Sequence, residues 1–175
     1  MKTLVDQLAQ YGAYHRDTRN LATHLVGVPL IVVAVTTLLA RPSVDVGAVT
    51  LSPALVAAVL AALFYLALDL RFGVAMAVFL AASVAIAQCF AAMTTAAWLG
   101  AGVGLFVVGW IIQFVGHYYE GRKPAFVDDL VGLLIGPLFI VAEVAFMIGL
   151  RRDVQRQIEE RIGPMHGGAW LRAPS

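Results

Sequence analysis

Residues 72–116 run for 45 positions without an aspartate, glutamate, lysine or arginine. A hydrocarbon core of about 30 Å is crossed by about 20 helical residues at 1.5 Å each. The stretch is therefore too long for one crossing and fits two, joined within residues 93–104, where Thr94, Thr95, Gly100, Gly102 and Gly104 make the chain softest. The rest of the chain agrees. Hydrophobic residues make up 61% and charged residues 13%, with a mean hydropathy of +0.85, far from the balance of soluble domains. Arg and Lys gather at the ends of apolar segments instead of forming a continuous basic face, which argues against a nucleic-acid partner. Cys89 is the single cysteine, so neither a disulfide framework nor a cysteine-rich metal site can form. A metal would have to be held by histidine and carboxylate.

These features predict an all-α integral membrane protein forming one membrane domain over residues 1–175. Leu4, Leu8, Tyr11 and His15 recur at helical spacing, with Lys2, Asp6, Gln10 and Asp17 on another face, so residues 1–19 read as an amphipathic helix at the membrane surface. Residues 21–40 form the first span and end at Arg41 and Pro42, and residues 43–52 are a short loop. Residues 53–68 or 53–70 form the second span, with Pro53 suited to a first helical turn and Asp69 and Arg71 marking a very tight exit. Ala81, Ala82, Ser83, Ala85 and Ala87 on the third span suit close helix packing. The fifth apolar segment, residues 130–150, carries Gly132, Gly136, Pro137, Glu143 and Gly149. It is expected to break near Gly136 and Pro137 as a re-entrant hairpin, with a fifth full span as the alternative. Residues 151–175 are a polar tail.

Counting basic residues orients the spans. One side holds Lys2, Arg16, Arg19, Arg71, Arg122 and Lys123, and the other only Arg41. This supports four crossings with the N-terminus in the cytoplasm. A fifth full crossing would place Arg151, Arg152, Arg156, Arg161 and Arg172 outside, against the same tendency. The first dozen residues lack the pattern of a cleavable signal, so the N-terminus is expected to be retained. Ten arginines against two lysines, with abundant Ala, Val and Gly, suggest a GC-rich genome and a bacterial inner membrane.

The orientation brings His15, His24 and His117 to one surface. His15 and His24 are nine positions apart and would project about 180° from each other on an unbroken helix. Asp17, Thr18, Arg19 and Asn20 supply a break, with Asp17 or Asn20 able to cap a new helix. Three imidazoles at helix ends suit Fe(II) or Zn(II), although any one alone reads more simply as an interfacial group. Glu120, three residues after His117, is a candidate ligand or a group that orients a histidine. Arg16, Arg19, Arg122 and Lys123 set topology and are candidates to receive a lipid carboxylate. Asp128 and Asp129 are candidates to hold an arginine or a ligand histidine in place, or to cap the following helix. Glu143 inside an apolar segment needs a cationic or histidine partner. His166 lies in a Gly-rich tail. Apart from Gln88, Gln113 and a few hydroxyls, the spans offer no polar path suited to a transporter. No phosphate loop or serine nucleophile elbow is present.

The segments YGAYHRDTRNLATHLVGVPL and GHYYEGRKPAFVDDLVGLLIGPLFIVAE resemble a family of small membrane proteins, formerly a domain of unknown function, whose fungal member is an endoplasmic-reticulum 2-hydroxy fatty acid dioxygenase. The resemblance covers residues 4–150. It implies Fe(II)-dependent α-oxidation, in which a 2-hydroxy fatty acid and dioxygen give a fatty acid one carbon shorter. It also implies that His15, His24 and His117 are the catalytic ligand histidines, and an endoplasmic-reticulum location were the chain eukaryotic. Iron and substrate come from the resemblance alone. The alternative is a membrane scaffold or lipid-binding protein whose histidines are structural.

Overall fold

The computed structural model describes residues 2–47, 49–122 and 131–165. Lys123, Asp128, Asp129 and His166 lie outside the described residues. The elements in order are α1 (Leu4–Gly12), α2 (Thr18–Ala40), β1 (Val44–Val46), β2 (Val49–Leu51), α3 (Pro53–Leu68), α4 (Leu70–Ala91), α5 (Thr95–Glu120), α6 (Gly132–Met147) and α7 (Arg152–Ile162). Three of these, α2, α4 and α5, are long and apolar enough to cross a membrane, and the α6 and α7 pair adds a fourth only if taken together as one bent span. Helix α3, at 16 residues, reaches about 24 Å at 1.5 Å per residue. Large apolar side chains such as Leu60, Val78 and Ile111 remain more than half exposed, as a lipid-facing surface requires.

The chain divides into two compact units. The first comprises residues 1–28 and 112–175, the second residues 29–111. In the first, Thr3 caps α1 through a reciprocal capping box with Asp6, and α1 packs against α6 and α7. The contact is close at Gly12, where a Cβ would stand 3.0 Å from Ile162 and 3.3 Å from Phe139. Leu8, Phe139, Val154 and Ile158 are buried.

In the second unit, the Val-rich segment after Arg41 forms an antiparallel hairpin pairing Val44 with Leu51 and Val46 with Val49, where a plain loop was expected from the sequence. Ser52 caps α3 ahead of Pro53. Asp69 both ends α3 and caps α4, accepting from the Phe72 N–H at 2.9 Å, which accounts for the tight turn. Helices α3 and α4 lie so close that a Cβ on Gly73 would meet the Leu66 backbone at 2.5 Å. The joint after α4 falls at residues 92–94, and α5 runs unbroken through Gly100, Gly102 and Gly104.

The expected break near Gly136 and Pro137 is not where the chain turns. Helix α6 continues through Pro137, which lies early in the helix, where its missing N–H concerns a single carbonyl, that of Leu133. The turn comes after Met147. Gly149 and Arg151 adopt positive φ of 81° and 52°, a conformation that stops a helix, and α7 leaves at 113° to α6. Gly136 serves packing instead: a Cβ there would stand 2.9 Å from the Tyr11 hydroxyl.

Candidate metal centre

Helix α1 ends at Gly12, and residues 13–17 form the joint that allows His15 and His24 to meet. Asp17 caps α2 by accepting from the Arg19 N–H at 2.8 Å, so the break precedes Thr18, and Arg19 and Asn20 are already helical. The third ring arrives on the last turn of α5. A Cβ on Gly116 would lie 2.0 Å from the Thr23 hydroxyl and 2.5 Å from Asn20 Oδ1. Only glycine permits that approach, and it delivers His117 to α2.

The rings of His15, His24 and His117 have centroids 4.6 to 5.1 Å apart. One ring nitrogen from each lies within 4.8 Å of the other two, and all three residues are buried. His15 Nδ1 stands 2.9 Å from the Tyr11 carbonyl, and His24 Nδ1 stands 2.9 Å from the Asn20 carbonyl. A carbonyl oxygen only accepts, so each Nδ1 carries the proton and each Nε2 presents a bare lone pair. Those two Nε2 atoms are 3.1 Å apart. Two lone pairs at that distance repel, and a cation shared between them removes the conflict. The Nδ1 of His117 is buried without a partner among the described residues.

Burial holds the pKa of His15 down to about 3, which keeps the imidazole neutral, the form a metal ligand needs. Tyr11 stacks on His15 at 4.2 Å and 6°, and Phe139 tilts against both rings. The donor set therefore fits a borderline divalent ion held by three neutral imidazoles, a number that leaves coordination positions open.

Glu120 is outside this trio. Its Oε1 accepts from the Arg16 N–H at 2.9 Å, and its Oε2 accepts from the Asp17 N–H at 2.8 Å and Asn20 Nδ2 at 2.9 Å. Both oxygens are thus committed to the joint between α1 and α2. Through Asn20, whose carbonyl holds His24, and through the backbone beside His15, one carboxylate braces the two histidine-bearing turns.

The cations are placed differently from one another. Arg16 is buried, donates to the Gly163 carbonyl and faces the charges of Glu143, Glu159 and Glu120. Arg19 is exposed, pairs with Asp17 at 2.7 Å and covers the Tyr119 ring at 4.6 Å. Arg122 donates to the Ala13 carbonyl at 3.0 Å. Tyr11, Phe139 and Gly116 act at the centre without having been singled out for it. A Gly immediately before a candidate ligand was the one available signal.

A family model described as 2-hydroxy-palmitic acid dioxygenase Mpo1-like matches residues 1–148. The chain is also similar to the 2-hydroxy-palmitic acid dioxygenase MPO1 of Saccharomyces cerevisiae, at 33% identity over 159 residues, covering 89% of this chain and 87% of the yeast protein. No solved structure matches.

Proposed function

The chain belongs to the Mpo1-like family, and from that premise we propose that it is an Fe(II)-dependent dioxygenase of fatty acid α-oxidation, converting a 2-hydroxy fatty acid to the acid one carbon shorter. The observation that carries the proposal is the convergence of three buried imidazoles, two of them presenting bare Nε2 atoms to each other at 3.1 Å.

His15, His24 and His117 would hold the iron. Bound there, Fe(II) supplies one-electron reactivity toward dioxygen that amino-acid side chains lack. The backbone carbonyls of Tyr11 and Asn20 fix the tautomers, and Glu120 fixes the joint. The oxidation balances without an external reductant: hydroxy acid plus dioxygen gives the shortened acid, carbon dioxide and water, with the carbon skeleton giving up four electrons and dioxygen taking four. The acyl chain lies among the apolar helices and lipid. The charge count favours the cytoplasmic face for the centre, and arginine usage favours a bacterial inner membrane.

The test uses detergent-purified protein stripped with a chelator and reloaded. Fe(II), and not Zn(II), is expected to restore conversion of 2-hydroxypalmitate to the acid one carbon shorter, with one iron per chain. Full activity in the stripped protein, or equal activity with zinc, would overturn the proposal.

A further inference from the structure

Gln113 lies four residues before His117 in α5, so the two side chains share one helical face, one turn apart. Its neighbours Ile111, Phe114 and Val115 are exposed. Gln113 is only 3% exposed, and both Nε2 and Oε1 are buried without a hydrogen-bond partner among the described residues. A buried polar group left unpaired is destabilising, and this side chain carries two. Ser83 and Thr36 avoid that cost by bonding one turn back, to the Phe79 carbonyl at 2.9 Å and the Val32 carbonyl at 2.9 Å, and among the described residues of α2 the Thr37 hydroxyl is left with one open group where Gln113 has two. The glutamine side chain is long and unpaired where a leucine would pack without penalty. One turn further on, His117 Nδ1 is also unpartnered among the described residues. The same face of α5 thus presents an open imidazole nitrogen and an open carboxamide.

A carboxamide offers one donor group and one acceptor. The head of a 2-hydroxy acid offers the complement, a carboxylate that accepts and a hydroxyl that donates. We infer that Gln113 recognises this head group, its Nε2–H donating to the substrate carboxylate and its Oε1 accepting from the 2-hydroxyl. The inference rests on the functional reading above and adds a source of selectivity. An unsubstituted fatty acid can satisfy only the donor half and leaves Oε1 buried and unpaired, a loss that discriminates between otherwise similar ligands.

The experiment compares metal-loaded wild type with Gln113→Leu and with Gln113→Met, which keeps the side-chain length. Three quantities are read: the thermal midpoint without ligand, the metal content, and the affinities for 2-hydroxypalmitate and palmitate from ligand-induced shifts in that midpoint. Both variants are expected to melt no lower than wild type and to retain full metal. Both should lose about tenfold of the wild-type preference for the hydroxy acid, the size of one good hydrogen bond. An unchanged preference overturns the inference, and so does a lower unliganded midpoint in both variants, which would mean that the amide has a partner inside the protein. A wild type that neither binds nor converts 2-hydroxypalmitate overturns the functional reading itself, whereas a responsive wild type with unaltered variants overturns the role of Gln113 alone.

Discussion

The two compact units differ in how far their polar side chains reach. In residues 29–111, Trp98 Nε1 donates to the Thr37 carbonyl 61 positions away, but Thr36, Ser83 and Cys89 bond to carbonyls one turn back on their own helices. Those bonds move with the helix and specify little about its neighbours. In the other unit, Glu120 bonds to groups 100, 103 and 104 positions away, Arg16 reaches Gly163 and Arg161 reaches Asp6. Such bonds exist only in one arrangement of the chain. The second unit is held by small residues and lipid-compatible packing, and the first is defined by a polar network that positions three imidazoles. The contrast predicts that polar substitutions are costly in one and cheap in the other.

The sharpest break is at the ligands. His15→Ala, His24→Ala and His117→Ala should each remove stoichiometric metal and lower turnover on the order of 100-fold or more, with helical content retained by circular dichroism. Iron retained in all three would end the assignment.

Next comes Glu120→Gln, which keeps the shape and removes the charge from three hydrogen bonds. We expect about 1.5–3 kcal/mol of lost stability and a metal affinity about 10–100-fold weaker. Thr36→Val, its counterpart in the other unit, should cost under about 1.5 kcal/mol, within the range of an ordinary hydrogen bond. Equal losses in chemical unfolding would dissolve the contrast.

A matched glycine pair tests packing in the same way. Gly116→Ala drives a methyl into Thr23 and Asn20 and should cost about 1–3 kcal/mol. At Gly104 nothing among the described residues lies within 4 Å of the added carbon, and Gly104→Ala should gain up to about 1 kcal/mol from helix propensity. Thermal midpoints that shift in opposite directions are the expected outcome.

The smallest effect belongs to the exposed pair of Asp6 and Arg161, 2.6 Å apart. Hydrogen bonds from Arg161 and Thr3 hold the Asp6 carboxyl at about 2, below its ordinary 3.8. A carboxyl depressed in the folded state stabilises the fold fully above the unfolded value, and that contribution fades as pH falls from about 4 toward 2. Arg161→Gln should flatten this part of the stability profile and change little at pH 7.

The polar pattern was legible in part. The need for a bend between His15 and His24 follows from helix geometry, and the structure supplies it at residues 13–17, just ahead of the Asp17 cap. Pro53 and Asp69 announce the α3 boundaries correctly. Pro137 misleads because a proline's effect depends on its depth in a helix and on what packs beside it, and here the neighbouring Gly136 faces the Tyr11 hydroxyl. The actual turn depends on positive φ at Arg151, a residue type that gives no warning of it. Glu120 reads as a ligand candidate from its spacing to His117, because the spacing says which face it shares and nothing about the two backbone N–H groups it meets. Gln113 passes as an incidental polar residue until its lack of partners is visible.

The order in which the chain is made adds a constraint on the centre. His24 precedes His117 by 93 positions, and synthesis at about 5–20 residues per second separates them by roughly 5–20 s. Throughout that interval the first two rings exist without the third, and the joint between them lacks the carboxylate that braces it. Glu120 follows His117 by three residues, so the last histidine of the triad and the brace emerge almost together. Assembly of the complete histidine triad is therefore a late event in the protein's biogenesis, following synthesis of the intervening apolar helices, and a nascent chain that stalls before residue 117 leaves the ribosome without it.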